Sequence, residues 1–179
     1  MSRKLLIDIH LYLAAFFAPI VLMIAVSGGL YLVDSKGNTE KEVVHTGALS
    51  EFDFDNKDRK SEVEKLLQTL NIDHSFEYIR GNSSSMVTRP TSSTYYAVYK
   101  KDNQLVVEKR DPDLIATIIE LHKGHGPNMF RTFQIITAIG LVITLISGLW
   151  LGLTSPVLKQ KSLVLTGAGA LIFILLAIL

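Results

Sequence analysis

The 179-residue sequence predicts an α-helical membrane protein with three transmembrane helices and a small α+β extracytoplasmic domain between the first two. Three observations lead there. Residues 11–33, 132–158 and 162–179 carry no charged side chain. The block between the first two runs, residues 34–131, holds 14 of the 18 Lys and Arg and 16 of the 17 Asp and Glu. That block also alternates apolar and polar residues at both helical and strand spacing.

Taken in order, the first run offers 23 uncharged residues, about 35 Å of helix at about 1.5 Å per residue. Crossing the hydrocarbon core takes about 20. A cleaved signal peptide is the rival reading of residues 1–33, but its apolar core would span about 7–15 residues and end at a small-residue cleavage site. Here the run is longer and ends in "GGLYLVD", so a retained anchor is expected. The second run has ample length, and the third is short. Backbone groups in lipid must be satisfied within the segment, so all three are read as helices. The expected divisions are a first helix (1–33), an outer domain (34–129), a second helix (130–154), a loop (155–161) and a third helix (162–179).

Orientation follows the positive charge of the short segments. Arg3 and Lys4 precede the first helix, and Lys159 and Lys161 lie between the second and third. Both segments are placed in the cytoplasm of a bacterial cell, with residues 34–129 on the periplasmic side of the inner membrane. With no cysteine, thiolate and disulfide chemistry are excluded. A net charge of +1 and no basic stripe argue against nucleic acid as a partner; the lipid bilayer is the expected one.

Within the polar block, residues 39–60 read as a lead-in loop with a short strand at Val43 and Val44. Ser61 with Glu64 three residues later forms a capping-box pattern, and Val63, Leu66, Leu67 and Leu70 continue it as one apolar stripe. "SFEYIRG", "SMVTRP", "TYYAVYKK" and "QLVVEKR" read as about four short antiparallel strands, the last two a hairpin about Asp102-Asn103. Leu114, Ile115, Ile118, Ile119 and His122 fall on one face of a final helix, which Gly124 and Gly126-Pro127 stop.

The order of these pieces resembles the PepSY-associated transmembrane family: a helix, a short antiparallel sheet, Asp-Pro after the last strand, Leu-His, then a membrane helix ending in "SGLWLGL". The opening helix "IHLYLAAFFAPIVLMIAVSGGLYL" is similar to that family's first, with a histidine near the inner end and Ser-Gly near the outer end. The matching positions are His10, Ser27, Gly28, His122, Ser147 and Gly148, within residues 5–155. Two motifs depart from the pattern. His10-Leu11-Tyr12 stands where His-Arg-Trp is frequent, and Asp111-Pro112-Asp113-Leu114 where Asp-Pro-x-Gly is frequent. Many members are also longer, with four helices and two outer domains. The resemblance implies a PepSY-like outer domain and, by some longer members, a ferric-siderophore reductase with haem b between its helices. PepSY domains elsewhere imply peptidase regulation instead.

The histidines carry the choice. An ionisable side chain at the membrane is costly and is a functional candidate by default, and histidine is a common axial ligand of haem iron. His10 lies one residue before the charge-free run, on a face with Ala14, Ala18, Val21, Ala25 and Gly28. The plainer reading pairs it with Asp8 or a lipid headgroup. His122 continues an apolar stripe, and it is favoured as a ligand over His125 because its position matches the Leu-His of the family that the chain resembles. A polar hinge is the plainer reading there. A two-histidine metal site lacks a third ligand. His45 and His74 read as surface residues. Gly140, Thr144, Gly148 and Gly152 form a small-residue stripe that argues close helix packing.

His10 and His122 belong to opposite ends of a span and cannot share one haem across roughly 30 Å. The expectation is therefore a homodimer, each histidine facing its mate and making two haem b sites fed by quinol or a redox-protein donor. No nicotinamide or flavin fingerprint is present. The competing class is a membrane-anchored binding or regulatory module without cofactor. A hydrolase finds no support, since no nucleophile–base spacing stands out.

Overall fold

The structure is a computed structural model and describes residues 2–179. The chain forms two compact units, Leu22–Gln134 and the residues up to Val21 together with Ile135–Leu179. Three helices are long and apolar enough to cross a membrane: α1 (Arg3–Leu32), α4 (Asn128–Leu153) and α5 (Lys159–Ile178). The third begins at Lys159, three residues before the expected start.

Between α1 and α4 in the chain comes a five-stranded antiparallel sheet of β1 (Thr39–Ala48), β2 (Tyr78–Gly81), β3 (Ser85–Arg89), β4 (Tyr95–Lys101) and β5 (Gln104–Pro112). Its order is β1-β5-β4-β3-β2. The β4–β5 hairpin is as expected. Asp102 and Asn103 take φ of 49° and 62°, the left-handed pair that a two-residue turn of matching twist needs. The expected lead-in loop is instead β1, a full edge strand paired with β5 from Thr39↔Pro112 to Ala48↔Gln104, with a bulge between Val43 and His45. The charged residues Glu40, Lys41 and Glu42 sit exposed on it, as edge strands that avoid further pairing do.

Helix α2 (Arg59–Thr69) packs on one sheet face. Its cap is Asp58, whose side chain accepts from the Ser61 amide at 3.1 Å. The expected Ser61–Glu64 capping box is displaced because the helix begins one turn earlier. The stripe was read correctly: Val63, Leu66 and Leu67 are buried with Phe52, Phe54, Phe76, Met86, Val98, Leu105 and Val107. Burying such side chains is worth about 1.5–3 kcal/mol each, which makes this cluster the main source of the domain's stability. His74, expected at the surface, is half-buried against it and stacks near Phe76 and Tyr96. Burial pushes its pKa down.

Helix α3 (Leu114–His122) is capped by Asp113, which accepts from the Ala116 amide at 2.8 Å and from the Asn38 amide at 2.7 Å. Gly37, at φ 71°, lets the chain after α1 pass the start of α3, where any Cβ would overlap Asp113 and Ala116. The buried face of α3 is Ala116 and Ile119, while Leu114 is 77% exposed. The expected stripe of Leu114, Ile115, Ile118, Ile119 and His122 thus holds in part: Ile119 is buried, Ile115 and Ile118 are half-buried, and Leu114 and His122 are exposed. Gly124 stops the helix at φ 74°, a backbone state open to glycine.

Candidate functional site

His10 and His122 each meet a serine of a long apolar helix, His10 that of α4 and His122 that of α1. Within residues 22–134, His122 Nδ1 lies 2.9 Å from Ser27 Oγ. Within the second unit, His10 Nδ1 lies 2.9 Å from Ser147 Oγ. Each serine is followed by a glycine that makes room for the ring. A Cβ on Gly28 would stand 3.2 Å from His122 Cε1, and one on Gly148 would stand 2.9 Å from His10 Cε1. The two Ser-Gly pairs are thus cradles for imidazoles as well as packing positions.

Ser27 Oγ also lies 3.1 Å from the Ile24 carbonyl, and Ser147 Oγ 3.0 Å from the Thr144 carbonyl. A hydroxyl has one proton, so when each serine donates to its carbonyl, its Oγ accepts from the imidazole. Nδ1 is then the protonated nitrogen and Nε2 carries the lone pair. Among the described residues no hydrogen-bond partner meets Nε2 of either ring. This is the tautomer that a metal-ligating histidine adopts when a neighbour holds its other nitrogen.

Gln134 Nε2 donates to the Leu121 carbonyl at 2.7 Å, which also accepts from the Gly124 amide at 3.0 Å. Ser27 is fully buried, and His122, Ser27, Gly28, Tyr31, Ile119 and Lys123 line a cavity of about 290 Å³. That is near the low end for ligand cavities. The inward face of α1 is Phe17, Ile20 and Ser27. The expected small-residue face is only partly packed, since Ala18 and Ala25 are exposed. Phe17 fills the place opened by Gly140, where a Cβ would overlap its ring.

His125 stands elsewhere. Its Nδ1 is 2.7 Å from Glu120 Oε2. Glu120 also takes Lys123 Nζ at 2.6 Å and the Thr91 hydroxyl at 2.6 Å, with Arg89 Nη1 at 3.6 Å. Burial pushes the Glu120 carboxyl up, but the hydrogen bonds from Lys123, Thr91 and His125 outweigh it and hold the pKa down to about 2. Sequence reading missed Glu120, Arg89 and Thr91. Only the reversal at Gly124 brings His125 back over Glu120. The described residues contain no group of three or more His, Cys, Asp or Glu able to hold a metal ion.

The family model described as PepSY_TM-like matches residues 4–179. The chain belongs to this family. The match takes in α5 as well as the segments that carried the resemblance. No curated protein and no solved structure matches the chain. This PepSY_TM-like protein thus has three helices of membrane-spanning character and a separate antiparallel α+β domain.

Proposed function

We propose that this multi-pass PepSY_TM-like protein holds haem b through His10 and His122 and relays electrons across the bacterial inner membrane. Its N-terminus is cytoplasmic and its sheet domain periplasmic. The observation that carries the reading is the serine at Nδ1 of each ring: a ring that gives Nδ1–H to that serine keeps its Nε2 lone pair for a metal. The residues fit the group in one further respect: the cavity at His122 has mostly apolar walls.

Haem supplies one-electron chemistry, with its potential set by axial ligand, hydrogen bonding and burial. The protein's share is orientation. Ser27 and Ser147 hold the tautomer, the glycines set the approach, and the apolar surroundings lower the local dielectric. Each site contains one histidine, so a second copy of the chain would supply the second. A quinol or redox protein supplies electrons, and a ferric chelate such as a ferric siderophore accepts them.

The test is a reduced-minus-oxidised visible spectrum of the detergent-purified protein from haem-supplied cells. A sharp α-band that weakens in His10→Ala and again in His122→Ala is expected. No band, even after reconstitution with haemin, overturns the proposal and leaves a membrane-anchored binding module.

A further inference from the structure

A second cavity, which shares Lys123 with the His122 site, has a different character. It measures about 230 Å³, and its walls include Tyr78, Arg80, Arg89, Lys123, His125 and Arg131. Tyr78 and Arg80 alternate along the edge strand β2, and Tyr78 pairs with Arg89 of β3. Side chains at i and i+2, and at directly opposed positions, share a sheet face, so three of these groups come from one surface. Lys123 and His125 come from the turn after α3, and Arg131 from the first turn of α4.

The charges do not balance. Three guanidiniums and an ammonium face this space, and the nearby carboxylate, Glu120, is spent on Lys123, His125, Thr91 and Arg89. Glu77 is also committed, accepting the Asn128 amide at 2.9 Å and 3.2 Å. Among the described residues neither the Arg80 nor the Arg131 guanidinium has a hydrogen-bond or ion-pair partner. Arg89 Nε is buried with no acceptor, a condition that costs roughly 1–3 kcal/mol in general. Planar guanidinium forks match the oxygens of phosphate, and several converging cations favour an anion of more than one charge.

We infer that the Arg80–Arg89–Arg131 cavity is a phosphate-class anion site in the sheet domain. Its ligand is either the phosphate of an anionic lipid or a soluble phosphate, and Arg131 on the first turn of a membrane-spanning helix brings both within reach. The inference stands apart from the haem reading, since it uses neither His10 nor His122.

The test uses the full chain in a neutral detergent, titrated calorimetrically with inorganic phosphate in one arm and with short-chain phosphatidylglycerol in the other. The comparison is Arg80→Gln/Arg131→Gln, two exposed positions, with circular dichroism confirming the fold. Binding that weakens about tenfold or more in the variant is expected. Binding in the lipid arm alone makes the ligand a headgroup, and binding in the phosphate arm makes it a soluble anion. If neither probe binds the wild type, or if variant and wild type bind alike, the inference is wrong.

Discussion

Replacing Glu120 with Gln removes the charge that organises one corner of the sheet domain. In the folded state the carboxyl titrates at about 2 rather than 4.5. The linked free energy is about 1.4 kcal/mol for each pKa step of one, hence roughly 3 kcal/mol here. Because the folded pKa is depressed, this stabilisation is fully present above pH 4.5 and is lost as pH falls toward 2. Gln keeps one acceptor oxygen for Thr91 or Lys123, so the expected loss at pH 7 is about 2–3 kcal/mol. Urea unfolding followed by near-ultraviolet circular dichroism reads the domain through its tyrosines. Measured at pH 7, 5, 4 and 3, the gap between wild type and Glu120→Gln is expected to close progressively below pH 4.5. A gap as wide at pH 3 as at pH 7 would refute the ion-pair reasoning.

Other outcomes follow from the same contacts. Ser27→Ala and Ser147→Ala each take the acceptor from an Nδ1–H. Under the haem reading each is expected to weaken cofactor retention by about 10–100-fold and to move the midpoint potential of its own site only, as read by redox titration. Gly140→Val drives a branched side chain into Phe17. It is expected to cost about 1–3 kcal/mol, seen as a lower melting temperature in detergent, while Gly167→Val, which meets open space, changes little. Leu67→Ala opens a cavity in the α2–sheet core, where Leu67 is 2% exposed, and is expected to lower urea stability by about 2–5 kcal/mol.

The membrane helices were legible because lipid imposes a simple demand, a run of about 20 apolar residues, and the chain meets it three times. The hairpin was legible because Asp-Asn tolerates the two left-handed residues its turn needs. Strand β1 was not, since an edge strand with both faces largely in solvent has no reason to alternate, and "TEKEVVHT" does not. The cap of α2 was misplaced because Asp58 and Ser61 are both good caps, and only the folded helix shows which one begins it. Of the candidate site, the histidines were visible as costly residues and Ser-Gly as small ones. That each serine hydrogen-bonds an imidazole more than ninety residues away in the chain is a long-range fact with no local signature. Glu120 was hidden for a related reason. Its i+3 partner Lys123 is a common helical pairing, whereas His125 reaches it only across a glycine turn.

The exchange of partners, His10 with Ser147 and Ser27 with His122, constrains the order of events during biosynthesis. When the ribosome has delivered α1, its histidine has no serine and its serine no histidine. The sheet domain must be made, and α3 formed, before His122 has its place. His10 waits longer still, for the closing turns of α4. His122 therefore gains its serine before His10 does. Under the haem reading, the site at His122 would be ready for its cofactor first, and the site at His10 would wait for Ser147 near the end of α4.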